Sequence, residues 1–184
     1  MATDDYLADP EELAILTGKP ATDPRLLQHL KNATRRFRGA VGHKVNLVEN
    51  DEVVLDGLSR ASVLLPVWPT TAVHSVRLDG VLLAEGVGYQ WSDSGVLRRL
   101  GCDRWPDRLR CLRVIYSHGW ATVPEDIAEA VLDKAATMAA VPHGVASKAV
   151  GGQSVTYGTQ AAVGVTDQWQ KCVDRYRIRT AGDA

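Results

Sequence analysis

The sequence predicts an α+β protein in which a helical bundle carries an inserted small antiparallel β-unit. Capped amphipathic segments predict the bundle: two N-terminal helices, one central helix and a short C-terminal helix. Between the second and third helices, short β-branched runs alternate with turn residues, and no helical pattern separates the runs. With 184 residues the chain is predicted to form one domain. Its predicted parts are the N-terminal helices (1–42), the β-insert (45–118), the central helix (122–141), and a glycine-rich segment with the C-terminal helix and tail (144–184).

The two N-terminal helices are predicted to begin in the same way, with aspartate followed by proline. Asp9 and Asp23 are capping residues, and the proline after each suits the first helical position. Gly18 and Gly39 are predicted to end these helices. The second helix has an apolar stripe at helical spacing, formed by Leu26, Leu27, Leu30, Ala33 and Phe37.

The other two helices are predicted from their first turns and apolar spacing. Glu125 and Asp126 favour the positive N-terminus of the central helix, and Pro142 is predicted to stop it. Thr166 is the predicted cap of the C-terminal helix, whose narrow stripe consists of Trp169, Cys172, Val173 and Tyr176. A helix this short is marginal alone in water, so its stripe must pack against another protein or against this chain's own bundle.

Turn chemistry organises the predicted β-insert. Asp79-Gly80 is a strong signal for a two-residue hairpin, since both turn positions need positive φ. The string SDSG at Ser92–Gly95 is a second predicted turn.

Composition and charge exclude several classes of protein. The net charge is −1, from 21 basic and 22 acidic residues, whereas tight nucleic-acid binders concentrate positive charge to neutralise phosphates. Three cysteines without a CxxC pair predict a reducing compartment and no structural disulfide. The acidic start MATDDYLADPEEL lacks a signal-peptide pattern, and no apolar run approaches the roughly 20 residues of a membrane span. These features predict a soluble, cytosolic product without a membrane partner.

A search for catalytic patterns predicts no catalytic, metal-binding or cofactor-binding residues. The five histidines are scattered and are interpreted as surface or turn residues, and no HExxH or zinc-spaced cysteine set occurs. Ser117 and His118 are adjacent, but neighbours on a strand point to opposite faces and cannot act as nucleophile and base. Neither a GxSxG elbow nor a phosphate-binding GxxxxGK[ST] loop is present.

The second helix carries a basic cluster that has two interpretations. One is a solvated face opposite the leucine stripe; the other is a subunit contact or a wall facing DNA. The cluster comprises Arg25, Lys31, Arg35, Arg36 and Arg38, of which Arg35, Arg36 and Arg38 are the candidate contact residues.

Several strings together resemble the head-to-tail adaptor (head completion, or connector) proteins of tailed bacteriophages and related prophages. After the two N-terminal helices come LPVWPTTAVHSVRLDG and VIYSHGWATVPEDIAEAVL, followed by GVASKAVGGQSVTYG and a terminal RYRIR. The order of YSHGW, VPEDI and VGGQSVTYG carries most of the specificity, and the strings span nearly the whole chain.

This resemblance implies a non-enzymatic structural protein of the virion neck, made in the host cytoplasm. It implies a dodecameric ring that binds the portal protein, extends the channel through which double-stranded DNA passes, and offers a docking surface to the next neck protein. The C-terminal segment would bind the portal, through Trp169, Arg175, Tyr176, Arg177, Ile178 and Arg179. Another neck or tail-completion protein, such as a stopper or tail terminator, is the alternative; an enzyme or a sequence-specific DNA-binding protein is a more distant one.

The glycine-rich segment Gly144–Gly158 suggests how such a ring would close. A strand from Gln153 to Tyr157 could add to a neighbour's sheet edge, with glycines permitting the rearrangement. The predicted assembly residues are Gly151, Gly152, Val155 and Tyr157. The alternative is a surface loop followed by a strand that pairs within the chain.

Overall fold

A computed structural model describes residues 6–101, 103–140, 147–150, 153–156 and 166–178. Across this part of the chain the fold is α+β, with two compact units. One unit combines the described residues of 1–42 and 123–177, and the other contains the described residues of 43–122 together with Ile178. Within the described residues, no helix is long and apolar enough to cross a membrane.

The prediction of a helical bundle with a small inserted β-unit is wrong, although the α+β class holds. Seven strands between Val48 and His118 form two antiparallel sheets with a buried core of their own, so this part is not a minor insert. Strand pairing between distant segments builds that core, and such pairing is not visible in the periodicity of single runs. The helices contribute only one of two comparable units.

The described part of the helical unit contains four helices, and three begin at the predicted caps. They are α1 (Pro10–Thr17), α2 (Pro24–Val41), α3 (Glu125–Ala140) and α4 (Asp167–Tyr176). Asp9 and Asp23 accept hydrogen bonds from the N–H groups of Glu11 and Arg25 at 2.9 and 2.8 Å, and Thr166 accepts one from Trp169 at 3.1 Å. These three N-terminal caps are therefore confirmed.

The end of α2 differs from its prediction. Gly39 lies inside the helix, which continues to Val41 and ends at Gly42 with φ 83°. A glycine inside a helix costs only about 1 kcal/mol relative to alanine. Burial of Val41, which is 1% exposed, contributes more than that cost.

The core of the helical unit is formed by the inward stripes of its helices. Helix α3 packs against α1, α2 and α4, and α4 also contacts α2. The Thr34 hydroxyl oxygen accepts a hydrogen bond from the Leu7 N–H at 3.2 Å, which ties the segment before α1 to α2. The largest fully buried side chains here are Leu7, Leu13, Leu26, Leu30, Phe37 and Ile127, and Trp169 and Tyr176 are nearly as buried.

The β-unit consists of two sheets of short antiparallel strands. The four-stranded sheet has the order β1-β7-β3-β4, and the three-stranded sheet has the order β2-β6-β5. The strands are β1 (Val48–Leu55), β2 (Ser62–Leu64), β3 (Thr70–Leu78), β4 (Val81–Leu83), β5 (Tyr89–Trp91), β6 (Val96–Arg99) and β7 (Leu112–His118). Both predicted turns are confirmed, since β3 and β4 flank Asp79-Gly80 and β5 and β6 flank Ser92–Gly95.

The core of the β-unit centres on fully buried aromatic side chains. Trp105 is completely buried and donates its indole N–H to the Leu97 carbonyl at 3.3 Å. Tyr116 of the central strand β7 is 1% exposed. Around them lie Val63, Leu65, Val73, Val76, Tyr89, Leu97, Cys111, Leu112 and Val114.

The glycine-rich segment contributes two more strands to the described chain. β8 (Ser147–Val150) and β9 (Gln153–Thr156) pair antiparallel, with Val150 opposite Gln153 and Ser147 opposite Thr156. The strand predicted from Gln153 onward is therefore present and pairs within the chain.

Candidate functional site

Helix α4 is the element on which the predicted portal-binding residues depend, and it lies on the helical unit. Its stripe of Trp169, Cys172, Val173 and Tyr176 is buried. The Trp169 ring meets the Phe37 ring edge to face, with centroids 5.3 Å apart and planes at 89°. The ammonium of Lys134 lies 5.7 Å from the Trp169 ring centroid, a cation–π contact from α3.

The carboxylate of Asp126 fastens the end of α4 to the start of α3. The Tyr176 hydroxyl donates to this carboxylate, 2.9 Å from Oδ1 and 3.0 Å from Oδ2. Arg175 Nη1 lies 3.2 Å from Oδ2, and the Cys172 thiol points at the Asp126 carbonyl oxygen, 3.6 Å away. The Asp126 carboxylate therefore has two residues of α4 as partners and its backbone carbonyl has a third, on the α3 side of a pocket lined by Asp126, Gln168, Lys171, Cys172 and Arg175.

Burial changes the ionisation of this contact. It raises the pKa of Tyr176 to about 12, with a further contribution from the hydrogen bond to Asp126. Burial likewise raises the pKa of the Cys172 thiol to about 11, and the Asp126 charge acts in the same direction. Burial lowers the pKa of Lys134, and nearby Arg36 lowers it further. A thiol held in its neutral form is a poor nucleophile, so Cys172 acts here as a packing residue.

The structure separates five of the six predicted portal-binding residues into two groups. Trp169 and Tyr176 are 7% and 5% exposed and face the chain's own core. Arg175 in the last turn of α4 and Arg177, which follows the helix, are exposed, and Ile178 is partly exposed. Arg179 lies outside the described residues. Trp169 and Tyr176 therefore hold α4 in place, whereas Arg175 and Arg177 are exposed to solvent.

The predicted contact residues on α2 share one stretch of the helix. Arg35 and Arg36 are exposed, whereas Arg38 is partly buried. The charge of Arg36 contributes to the lowered pKa of Lys134 on α3.

The predicted assembly residues fall mostly outside the described chain. Gly151, Gly152 and Tyr157 are not among the described residues, and Val155 is described only as part of the β9 backbone, opposite Lys148 of β8.

The β-unit holds two side-chain pairs that sequence reasoning did not find. Ser117 Oγ lies 2.7 Å from His74 Nε2, and it accepts a hydrogen bond from the Asn50 N–H at 3.2 Å. His118, which is 4% exposed, directs Nε2 at the Asp51 carboxylate at 3.0 Å and is therefore not the surface residue that was predicted. The partners are 43 and 67 residues apart in the chain, and only the pairing of β7 with β3 and β1 brings them together.

These pairs bridge strands and do not form a catalytic triad. Ser117 and His118 have different partners, as expected for neighbours on one strand. Ser117 is 6% exposed, and no described carboxylate hydrogen-bonds to His74 to orient it as a base. In the part of the chain that is described, no group of histidine, cysteine and acidic side chains could hold a metal ion.

Exposed apolar side chains mark candidate contact surfaces on both units. Ile15 and Leu16 at the end of α1 are 82% and 60% exposed. In the β-unit, Val81 and Leu82 of the edge strand β4 are 66% and 57% exposed, and Val87 is 80% exposed. Soluble monomers rarely group such residues, and grouped ones mark surfaces for binding other proteins.

Comparison with solved structures finds the same fold in the necks of gene transfer agent particles. A chain in the neck of a native gene transfer agent particle, computed with C12 symmetry, matches with a TM-score of 0.54 and 19% identity, covering 99% of this chain and 96% of that one. A chain in the neck of the empty particle, computed with C6 symmetry, matches with a TM-score of 0.54 and 19% identity over 94% and 91%. A chain from the virion of the native particle matches with a TM-score of 0.50 and 19% identity over 99% and 95%.

Comparison with protein families gives the assignment. No match was found among curated proteins. The family model for the head completion protein matches residues 10–179, which include all the described helices and strands. This match confirms the resemblance predicted from the sequence strings. The chain belongs to the head completion protein family.

Proposed function

We propose that this chain is a non-enzymatic structural protein that forms a ring in the neck of a virion, between the portal and the next neck or tail protein. The observation that carries the proposal is the match of the head completion family model to residues 10–179. Because the match includes both units, the whole chain is assigned one role as a single adaptor. DNA would pass through the ring without a sequence-specific contact.

Symmetry in the similar particles supports a ring of identical subunits. The necks that contain chains of this fold were computed with C12 and C6 symmetry. A closed ring is built from heterologous contacts, in which one surface of a subunit meets a different surface of the next. The chain has separate exposed apolar groups that suit such contacts, at Ile15 and Leu16 and at Val81 and Leu82. We propose a dodecamer.

The portal contact is assigned to the C-terminal end, from Arg175 to Arg179. Trp169 and Tyr176 hold α4 on its own unit, so Arg175 and Arg177 are presented from a fixed support. A fixed support reduces the ordering cost of binding. Arg35, Arg36 and Arg38 are assigned to the channel wall or to a subunit contact, and the segment around Gly151, Gly152, Val155 and Tyr157 to the contact between subunits.

The charge balance is consistent with a channel that DNA traverses. Phosphate contacts repeated around a ring would add up to strong retention. A net charge of −1 avoids such retention while leaving local basic groups on α2.

The portal contact is tested by charge reversal at an exposed arginine. Arg177→Glu should reduce co-purification with the cognate portal at least tenfold, because it places a carboxylate at the end of α4. Arg98→Glu, an equal charge change at an exposed position of β6, should bind as the wild type does. Equal loss in both variants would contradict the assignment of the portal contact.

The function itself is tested by electron microscopy of the wild-type chain mixed with portal. A ring on the portal confirms the proposal. A wild-type chain found only on tail tubes and never on portals would instead support the stopper or tail-terminator alternative.

A further inference from the structure

The edge strand β4 is an open place for another strand to pair. β4 follows a two-residue turn, and Leu78 and Val81, which flank this turn, form a hydrogen-bonded pair. Pairs alternate along an antiparallel ladder, so the next pair, Arg77 and Leu82, is not hydrogen-bonded. The N–H and C=O of Leu82 therefore point away from β3. Within the described residues nothing accepts or donates to them. The strand has no charged residue, and Val81 and Leu82 are exposed.

The edge strands β1 and β5 are protected. β1, on the opposite side of the four-stranded sheet, has an irregular register between Val48 and Asp51 and carries Glu49, Asp51 and Glu52. Bulges and charged side chains are features by which proteins block edge pairing. β5 is covered by the chain that precedes it, since the Gly86 N–H donates to the Tyr89 carbonyl at 2.9 Å. β4 has neither kind of protection.

Among the described residues, the β8–β9 hairpin has no partner strand. Its two strands of four residues pair with each other and with no other described strand. An isolated two-stranded hairpin is at best marginally stable in water. By the same alternation, the N–H and C=O groups of Ser154 and Thr156 point outward from β9.

Charge and length favour a match between these two edges. Segment 144–158 has one charged residue, Lys148, and segment 79–86 around β4 has Glu85 besides Asp79, which is paired with Arg108 at 2.8 Å. β9 has four residues and β4 has three, so one strand can cover the other. Pairing along an edge is recognition through the main chain, and it suits a segment with few large side chains.

We propose that in the ring the outer edge of β9 of one copy pairs with β4 of a second copy and extends its four-stranded sheet. This inference rests on the proposed ring and names one of its contacts. The contact is heterologous, because a hairpin of one subunit meets a sheet edge of the next, and repetition closes the ring.

Disulfide trapping tests whether the two edges meet between copies. Leu82→Cys and Ser154→Cys are made separately in a Cys102→Ser background, since the other two native cysteines, Cys111 and Cys172, are buried. After assembly on the portal and mild oxidation, a covalent dimer should form in the mixture of the two variants and in neither alone. Leu82→Cys mixed with Arg98→Cys is the control. Equal dimer yields in the two mixtures, or no dimer in either, would overturn the pairing.

Removing the outward donor of β4 is the second test. Leu82→Pro deletes the outward N–H but leaves the bonds to β3, since an edge strand accepts proline on its solvent side. It should lower the yield of rings at least tenfold without unfolding the free chain, whereas Leu82→Ala, which keeps the donor, should lose less. Intact rings in Leu82→Pro would overturn the pairing and leave the proposed function standing. If the wild-type chain is found in necks but forms no ring there, both the strand pairing and the proposed ring are wrong.

Discussion

Gly119 occupies a backbone position that only glycine fits. Its φ is 93°, and a Cβ built there would lie 2.5 Å from the Asn46 carbonyl oxygen and 2.8 Å from that of Val45. The neighbouring Trp120 N–H donates to the Val45 carbonyl at 3.0 Å, which holds the two backbone segments close together. We expect Gly119→Ala to lower the free energy of unfolding by about 2 kcal/mol or more, from left-handed strain plus the clash. Urea denaturation measures this loss.

Gly39→Ala is the matched control, because this glycine lies inside α2. A Cβ there meets nothing within 4 Å, and the residue is helical. Alanine should stabilise the helix by about 0.5–1 kcal/mol. The two substitutions therefore have opposite predicted signs, and a loss of stability in both would contradict the assigned conformation of Gly39.

Tyr176→Phe tests the contact between α4 and Asp126. The variant should be about 1–3 kcal/mol less stable at pH 7, since the Asp126 carboxylate loses a buried donor. In the wild type the pKa of Tyr176 is raised from 10.0 to about 12, so the stability that its neutral hydroxyl contributes is complete below pH 10. That contribution is lost as the pH rises from 10 to 12. Phenylalanine does not titrate, so the difference between variant and wild type should narrow over this range.

Urea melts of both proteins from pH 7 to pH 12 measure that difference. If the two stability curves stay parallel up to pH 12, the Tyr176 hydroxyl is not held by Asp126 in solution.

At the scale of elements, α4 is a structural part of the helical unit. Trp169 is 7% exposed and lies edge to face against Phe37. Trp169→Ala should cost about 3–5 kcal/mol, the range for truncating a large buried aromatic. Gln168→Ala, at an exposed neighbouring position on α4, is the control and should change stability by less than about 0.5 kcal/mol. Urea denaturation of both variants checks the difference, and equal stability of the two would show that α4 is not docked.

The elements that sequence reasoning placed well are those with local signals. Asp9, Asp23 and Thr166 have partners only two or three residues away, and their caps were predicted. The Asp79-Gly80 turn is equally local, with φ of 47° and 85° at its two positions. Gly39 shows the limit of such signals. It was predicted to end α2, but the helix continues because the residues beyond it pack in the core.

The candidate site was harder to predict because its contacts are distant in the chain. The stripe on α4 was found, but a stripe does not reveal whether its partner is the same chain or another one. Trp169 meets Phe37, and Tyr176 meets Asp126 50 residues away. The pairing of Ser117 with His74 depends on the order of strands in the sheet, which the sequence pattern does not encode locally.

At the scale of the whole molecule, apolar surface and charge are distributed differently. Exposed apolar residues occur in groups, at the end of α1 and along β4, where they are available for contacts between proteins. Charge is nearly balanced over the chain, at 21 basic and 22 acidic residues. The proposed ring would therefore gain its cohesion from protein contacts and little from the DNA in its channel.

This balance predicts that the free chain does not hold double-stranded DNA at physiological salt. Non-specific DNA binders show dissociation constants of roughly 10⁻⁴ to 10⁻⁶ M under these conditions, because several cations replace counterions on the phosphates. With a net charge of −1 and its basic residues divided among several elements, the chain should bind more weakly than about 10⁻⁴ M. Fluorescence anisotropy with a labelled duplex at 150 mM salt measures this, and a repeat at about 20 mM salt separates weak electrostatic attraction from none. Micromolar affinity at 150 mM salt that falls steeply as salt rises would mean that the chain binds DNA tightly, contrary to the proposed channel through which DNA passes.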